Sequence, residues 1–219
     1  MDQDLHSELL FSEMGDRGIL VTSKLPFDLP VQQRIWNLRD DVLARDDVLE
    51  AVPGIGNLLV VFSPFDCDVN ELRKFCAKRW GVDPDRKRHS KTVTIDVDYV
   101  GQDMDSVVAH AGLSASEIIS LHTLAEYVVL TVGAQPGFGY LWGMAPQLAV
   151  PRKGTPALDV RAGSVMIGGT MTAVATITSP SGWNIIGYTD ESFFDVTQPN
   201  PTLLSPGDRL MFKPIGRSA

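Results

Sequence analysis

The sequence predicts an α+β protein in two parts: a small α+β domain over residues 1–88 and a β-barrel domain over residues 89–219. Three observations carry that expectation. The first 80 residues alternate strand-like runs with two amphipathic stretches in the order ββαββα. From Lys91 onward, short apolar runs recur, broken every 8–12 residues by turn residues. Between the two patterns, Gly81–Ser90 (GVDPDRKRHS) holds Gly, Pro and four basic residues with no periodicity, as a linker does.

Taken in order, Ser7–Met14 and Ile19–Ser23 read as strands meeting at the Gly15–Gly18 turn. Pro30 opens a helix whose apolar face carries Val31, Ile35, Leu38, Val42 and Leu43. Val48–Val52 and Leu58–Phe62 form a second strand pair across Pro53-Gly54-Ile55-Gly56. Asp66 or Asp68 caps a second helix with Leu72, Phe75, Cys76 and Trp80 on one side. The two helices are expected on one face of the sheet. In the second part, Val93, Ile95, Val97 and Tyr99 alternate with polar residues as a half-buried strand does. Asp103–Ala111 and Ser114–Ala125 read as helices, the latter opened by the Ser-x-x-Glu spacing of a capping box. Tyr127–Val132 begins the long run of short strands, which is expected to close or nearly close into a barrel.

The composition narrows the function. The chain has 219 residues, a formal charge of −8 and 21% charged residues, so it is globular and acidic. That balance argues against nucleic acid or an anionic membrane as partner. No apolar run approaches the roughly 18 residues of a membrane span, and MDQDLHSELL lacks the basic-then-apolar order of a secretory signal. The expected location is cytoplasmic. Cys67 and Cys76 fit a reducing compartment and match no metal or redox spacing.

The motif scan is mostly negative. The chain has no P-loop, no G-x-G-x-x-G, no H-E-x-x-H, no paired C-x-x-C and no G-x-S-x-G. His6, His89, His110 and His122 are scattered, and no metal site is expected. Three features remain. Arg152-Lys153, between Pro151 and Gly154, places a cation on an expected loop at a barrel mouth, where a guanidinium can grip a carboxylate or phosphate. The alternative is a pair of solvated surface charges. His122 lies near the apolar face of its helix, as a buried hydrogen-bonded core residue or as a proton-transfer group. Gly133–Gly143 (GAQPGFGYLWG) packs glycines around Phe138, Tyr140 and Trp142, either as a barrel corner or as an aromatic-walled pocket.

Several runs occur together in a recognisable order. They are Pro136-Gly137-Phe138-Gly139-Tyr140-Leu141, Pro151-Arg152, Ala162-Gly163-Ser164-Val165, Ser179-Pro180-Ser181-Gly182-Trp183, Ile186-Gly187 and Pro206-Gly207-Asp208-Arg209. In this order and spacing the chain resembles the KipI family, also called allophanate hydrolase subunit 1 or the B subunit of bacterial 5-oxoprolinase. The resemblance implies a small α+β domain followed by a cyclophilin-like β-barrel. It also implies action with a KipA-like partner (allophanate hydrolase subunit 2) and a LamB/YcsF-type subunit. Such a complex opens a small amide or lactam with ATP, which is bound through the complex. Under that resemblance Arg152 supplies a cation and His122 a proton relay, while Gly137, Phe138, Tyr140, Met171 and Trp183 line the substrate site. It also implies two other roles seen among such proteins: carboxyl transfer in a urea-carboxylase-type enzyme, and inhibition of a histidine kinase.

The chain departs from the family pattern in three places. Gly139 stands where the family has Pro, and Thr170-Met171-Thr172-Ala173-Val174-Ala175-Thr176 replaces a Gly-Gln-Thr-Gly-Ile-Tyr-Pro run. The start of the barrel domain is altered as Val97-Asp98-Tyr99-Val100-Gly101. Met171 exchanges an amide for a thioether, which changes what that position can bond.

Overall fold

The computed structural model describes residues 8–83 and 86–216. His6, Ser7, residues 84–85 of the linker and Arg217 lie outside them. The chain divides into two compact units, Met1–Arg88 and His89–Ala219.

The first unit is a four-stranded antiparallel sheet with two helices. Its strands are β1 (Leu9–Glu13), β2 (Gly18–Ser23), β3 (Val48–Pro53) and β4 (Asn57–Phe62), in the order β1-β2-β4-β3. Helix α1 (Leu29–Leu43) begins where the Asp28 carboxylate accepts from the Val31 amide, with Pro30 in the first turn. Helix α2 (Val69–Arg79) is capped by Asp68, which accepts from the Asn70 and Glu71 amides. Val31, Ile35, Leu38 and Val42 recur at helical spacing and are buried with Leu58, Val60, Leu72 and Trp80. Leu43 does not join them. It is 37% exposed, because one residue past Val42 turns about 100° off the buried stripe. Gln32 is buried on that stripe instead, its side-chain amide donating to the Gly54 carbonyl and its Oε1 accepting from the Gly56 amide. A buried amide is tolerated there because both its ends are satisfied.

The second unit is a seven-stranded sheet of β5 (Thr92–Val97), β6 (Glu126–Val132), β7 (Gly139–Trp142), β9 (Ser164–Gly168), β10 (Met171–Val174), β12 (Asn184–Tyr188) and β13 (Arg209–Pro214). The order is β12-β9-β10-β7-β6-β13-β5, antiparallel except for the parallel β13–β5 pair. Helices α3 (Met104–Ala111) and α4 (Ala115–Leu124) follow β5, and α4 opens with the capping box of Ser114 and Glu117. A separate two-stranded ribbon pairs β8 (Ala157–Val160) with β11 (Ser179–Ser181).

The sheet is nearly closed. Beyond the end of β5, Asp98 and Tyr188 exchange both backbone hydrogen bonds at 2.8 Å, tying one edge strand to the other. Asp103 extends the seam, its carboxylate accepting from the Ile185 amide at 2.8 Å. Two glycines permit this close approach. A Cβ on Gly101 would lie 2.3 Å from the Ile186 carbonyl carbon, and one on Gly187 would lie 2.7 Å from the Asp98 carbonyl oxygen. Gly187→Ala is therefore expected to lower the unfolding free energy by about 3 kcal/mol in urea titration. Gly154→Ala, which meets nothing within 4 Å, is expected to stay within about 0.5 kcal/mol of wild type. Equal midpoints for the two variants would show that the seam does not constrain the barrel.

Candidate functional site

Strands β9 and β10 are covered on both faces, and their period-2 alternation sorts the site residues. Val165, Ile167 and Val174 join the main core inside the barrel, with Leu141 of β7 and Ile186 of β12. Met166, Ala173 and Ile185 point the other way and pack with Phe138, Val160, Ala175 and Trp183 in a second cluster. Tyr140 and Met171 pack against that outer cluster.

His122 lies inside. It is fully buried, with its ring stacked on Phe212 at 4.5 Å between centroids and tilted against Tyr127 at 5.4 Å. Its hydrogen bonds have one consistent direction. The Thr172 hydroxyl donates to the Met166 carbonyl at 2.9 Å, so Thr172 Oγ1 accepts from His122 Nε2–H, also at 2.9 Å. Nδ1 is left to accept from the Tyr99 hydroxyl at 2.8 Å. The Tyr127 hydroxyl donates to the His122 carbonyl at 2.9 Å. Burial without a counter-charge holds the imidazole down at about 3 and pushes the Tyr99 and Tyr127 phenols up. His122 is thus a neutral, doubly bonded core residue, on the opposite face of the sheet from the other candidates.

Those other candidates meet outside. A cavity of about 190 Å³ lies between the outer face of the sheet and the β8–β11 ribbon. Phe138, Tyr140 and Trp183 wall it, with ring centroids 5.0–6.1 Å apart and edges turned to faces. Trp183 lies across β9 because position 168 is glycine: a Cβ there would sit 2.4 Å from the indole ring. Arg152 stands at the rim, its guanidinium carbon 5.5 Å from the centre of the Trp183 ring.

Arg152 therefore belongs to the outer face of the sheet, not to a barrel mouth, and its segment is pinned on either side. The Asn184 side-chain Nδ2 donates to the Pro151 carbonyl at 3.0 Å, and the Lys153 backbone amide donates to the Gly182 carbonyl at 2.7 Å. The two cations expected as a pair divide their roles. Lys153 is bound to Asp103 at 2.7 Å, whereas Arg152 is exposed and has no carboxylate partner among the described residues.

Gly137 and Met171 do not line the cavity. Gly137 has φ +76, and a Cβ there would lie 2.5 Å from the Phe193 carbonyl oxygen. It shapes the β6–β7 turn that delivers Phe138, so that glycine-rich run is both a corner and a pocket wall. Ala134, in the same turn, holds φ +63, a conformation costly for a residue with a Cβ, and it lines the cavity. The sequence pattern did not reveal Gln135 and Ser179, whose side chains hydrogen-bond to each other at the cavity edge, nor Ser181. Their only signal is position: both serines flank Pro180 in one of the runs that carry the family resemblance.

Comparison with known proteins places this geometry. Residues 9–204 match the family model described as carboxyltransferase domain, subdomain C and D. The chain belongs to that family. Over 206 residues it is 37% identical to the 5-oxoprolinase B subunit of Escherichia coli O157:H7, covering 92% of this chain and 94% of that protein. It is 35% identical to the corresponding 5-oxoprolinase B subunit of Haemophilus influenzae, covering 91% and 94%. Among solved structures, TTHA0988 superposes with a TM-score of 0.80 at 29% identity, over 91% of this chain and 40% of that one. The Kluyveromyces lactis urea carboxylase shares the fold, with a TM-score of 0.76 at 19% identity, over 95% of this chain and 22% of that one. Among the described residues, no helix is long and apolar enough to cross a membrane and no group of His, Cys, Asp or Glu is arranged to hold a metal ion.

The buried neutral histidine has a measurable signature. Its folded pKa lies below the ordinary 6.5, so the unfolded chain binds the extra proton and stability falls as pH drops below about 6.5. The stability advantage of wild type over His122→Gln is expected to shrink by about 1.4 kcal/mol per pH unit between pH 6.5 and 4. A pH-independent difference between the two denaturation curves would place a charged imidazole in the fold.

Proposed function

We propose that this chain is one subunit of an ATP-dependent 5-oxoprolinase, which hydrolyses 5-oxo-L-proline to L-glutamate together with a KipA-like chain and a LamB/YcsF-type chain. The observation that carries this reading is what the cavity has and what it lacks. It offers aromatic walls, polar edge groups and the free cation of Arg152. Among its lining residues there is no His, Cys, Asp, Glu or Lys, so no general base stands beside Ser179 or Ser181 to activate either as a nucleophile. Such a site binds and orients a substrate whose bond-breaking groups come from other chains. The naming of the relatives as subunits supports the same division.

A lactam is a poor electrophile; phosphorylating its oxygen with ATP activates the carbon, so that water adds there. The ring C–N bond then breaks to free the amine and leave an acyl phosphate, and a second water hydrolyses that acyl phosphate to the carboxylate and phosphate. Groups that hold and orient the reacting amide then matter more on this chain than a strong nucleophile. The cavity, at about 190 Å³, falls below the roughly 300–1,000 Å³ of pockets for drug-sized ligands, so it suits a small ring and not ATP itself.

The family name favours a second reading, carboxyl transfer from a biotinylated carrier to a small amide. Avidin separates the two, since it blocks only the second. Under the 5-oxoprolinase reading, ATP hydrolysis stimulated by 5-oxoproline is expected only when all subunits are mixed, and avidin leaves it unchanged. A fully assembled complex whose ATP hydrolysis responds to no lactam would overturn it.

A further inference from the structure

Resting on that 5-oxoprolinase reading, we propose that the outer cavity is where the intact lactam is recognised: Arg152 grips its permanent carboxylate, and the Gln135–Ser179 pair reads its amide edge. Arg152 is thereby assigned to substrate binding and not to the charge that develops during reaction.

Three observations separate those roles. Arg152 is exposed at the rim, where water screens its field. A preorganised cation stabilises a developing charge strongly only in a dry site, whereas a permanent carboxylate brings its own charge to a wet rim. Second, the guanidinium rests near the Trp183 ring at 5.5 Å, and no carboxylate occupies its N–H groups among the described residues. A planar fork held at an aromatic wall is preorganised for a bidentate carboxylate. Third, the cavity beneath is small and walled by Phe138, Tyr140 and Trp183, a space suited to one flat ring and not to a nucleotide.

Another part of the lining has the complementary chemistry. Gln135 Nε2 donates to Ser179 Oγ. That leaves Gln135 Oε1 as an acceptor and the Ser179 hydroxyl hydrogen as a donor. A lactam holds its N–H and C=O on one side of the ring, so one edge demands one acceptor and one donor. Gln135 thus supplies a side-chain amide in the same outer region where Met171 stands in place of the family's Gln.

The test uses the assembled complex with 5-oxoproline and with 2-pyrrolidinone, a lactam of the same ring without the carboxylate. Arg152→Met is expected to raise the KM for 5-oxoproline by about 10–100-fold, the range of a lost charge-assisted bond, with kcat changed less than about threefold. It should leave the weak turnover or binding of 2-pyrrolidinone unchanged. Gln135→Leu should weaken both lactams alike. A fall in kcat for both lactams in Arg152→Met, with KM unmoved, would place the cation on the reacting oxygen and overturn the proposal. Titrating the full-length chain through its Trp fluorescence, with Trp183→Phe to assign the signal, gives a readout that does not need turnover. Quenching by 5-oxoproline that Arg152→Met abolishes supports the pocket; an active complex in which this chain shows no such quenching overturns it. An assembled wild-type complex inactive on 5-oxoproline removes the 5-oxoprolinase reading itself. Activity with an unmoved KM in Arg152→Met removes only the assignment of the carboxylate.

Discussion

The β9–β10 pair is buried on both faces, and that constraint organises the second unit. A strand with one wet face needs only alternate apolar residues, whereas Ser164–Gly168 are buried throughout. Inside, the strands close over a core that includes a neutral histidine; outside, they carry the aromatic cluster beneath the ribbon. One residue of register decides which side chains serve which face, since Thr172 bonds His122 while Met171 and Ala173 pack against the outer cluster. The inner face thus meets His122, and the outer face carries the cavity proposed to bind substrate.

Much of this was legible from local pattern. The capping box of Ser114 and the choice of Asp66 or Asp68 for the second helix follow from capping chemistry, which acts over three or four residues and so is written locally, whereas the Asp28 cap is hidden behind Pro30. The apolar spacing of α1 and the strand runs of the first unit set its element order in the same way. Non-local relations were harder. Nothing near Arg152 in sequence says that Lys153 will be taken by Asp103, fifty residues earlier, leaving only one cation free. Nor does the local pattern say that the Pro151 segment lies on the barrel's outer face, which depends on contacts from Asn184 and Gly182.

His122 shows the limit most clearly. Its neighbours at helical spacing mark an apolar face, which suits a core residue and a sheltered proton relay equally well. Only the partners decide. Tyr99 and Thr172 satisfy both ring nitrogens, and Phe212 and Tyr127 cover the ring, so charging it would strand a cation in an apolar core. Gln135 and Ser179 carry no local signal for the opposite reason. Each is an ordinary polar residue in a turn, and their significance rests on meeting each other across 44 positions.

The division of chemistry follows from these placements. On the proposed reading, a cavity that holds a small ring between aromatic walls and a rim cation, with no His, Cys, Asp, Glu or Lys among its lining residues, selects a substrate for groups contributed elsewhere. The measurement that tests this most directly is a crystal structure of the assembled complex with 5-oxoproline bound. The account predicts the ring against Trp183, with its carboxylate on Arg152 and its amide edge toward Gln135 and Ser179. A lactam bound elsewhere, with this cavity empty, would contradict it.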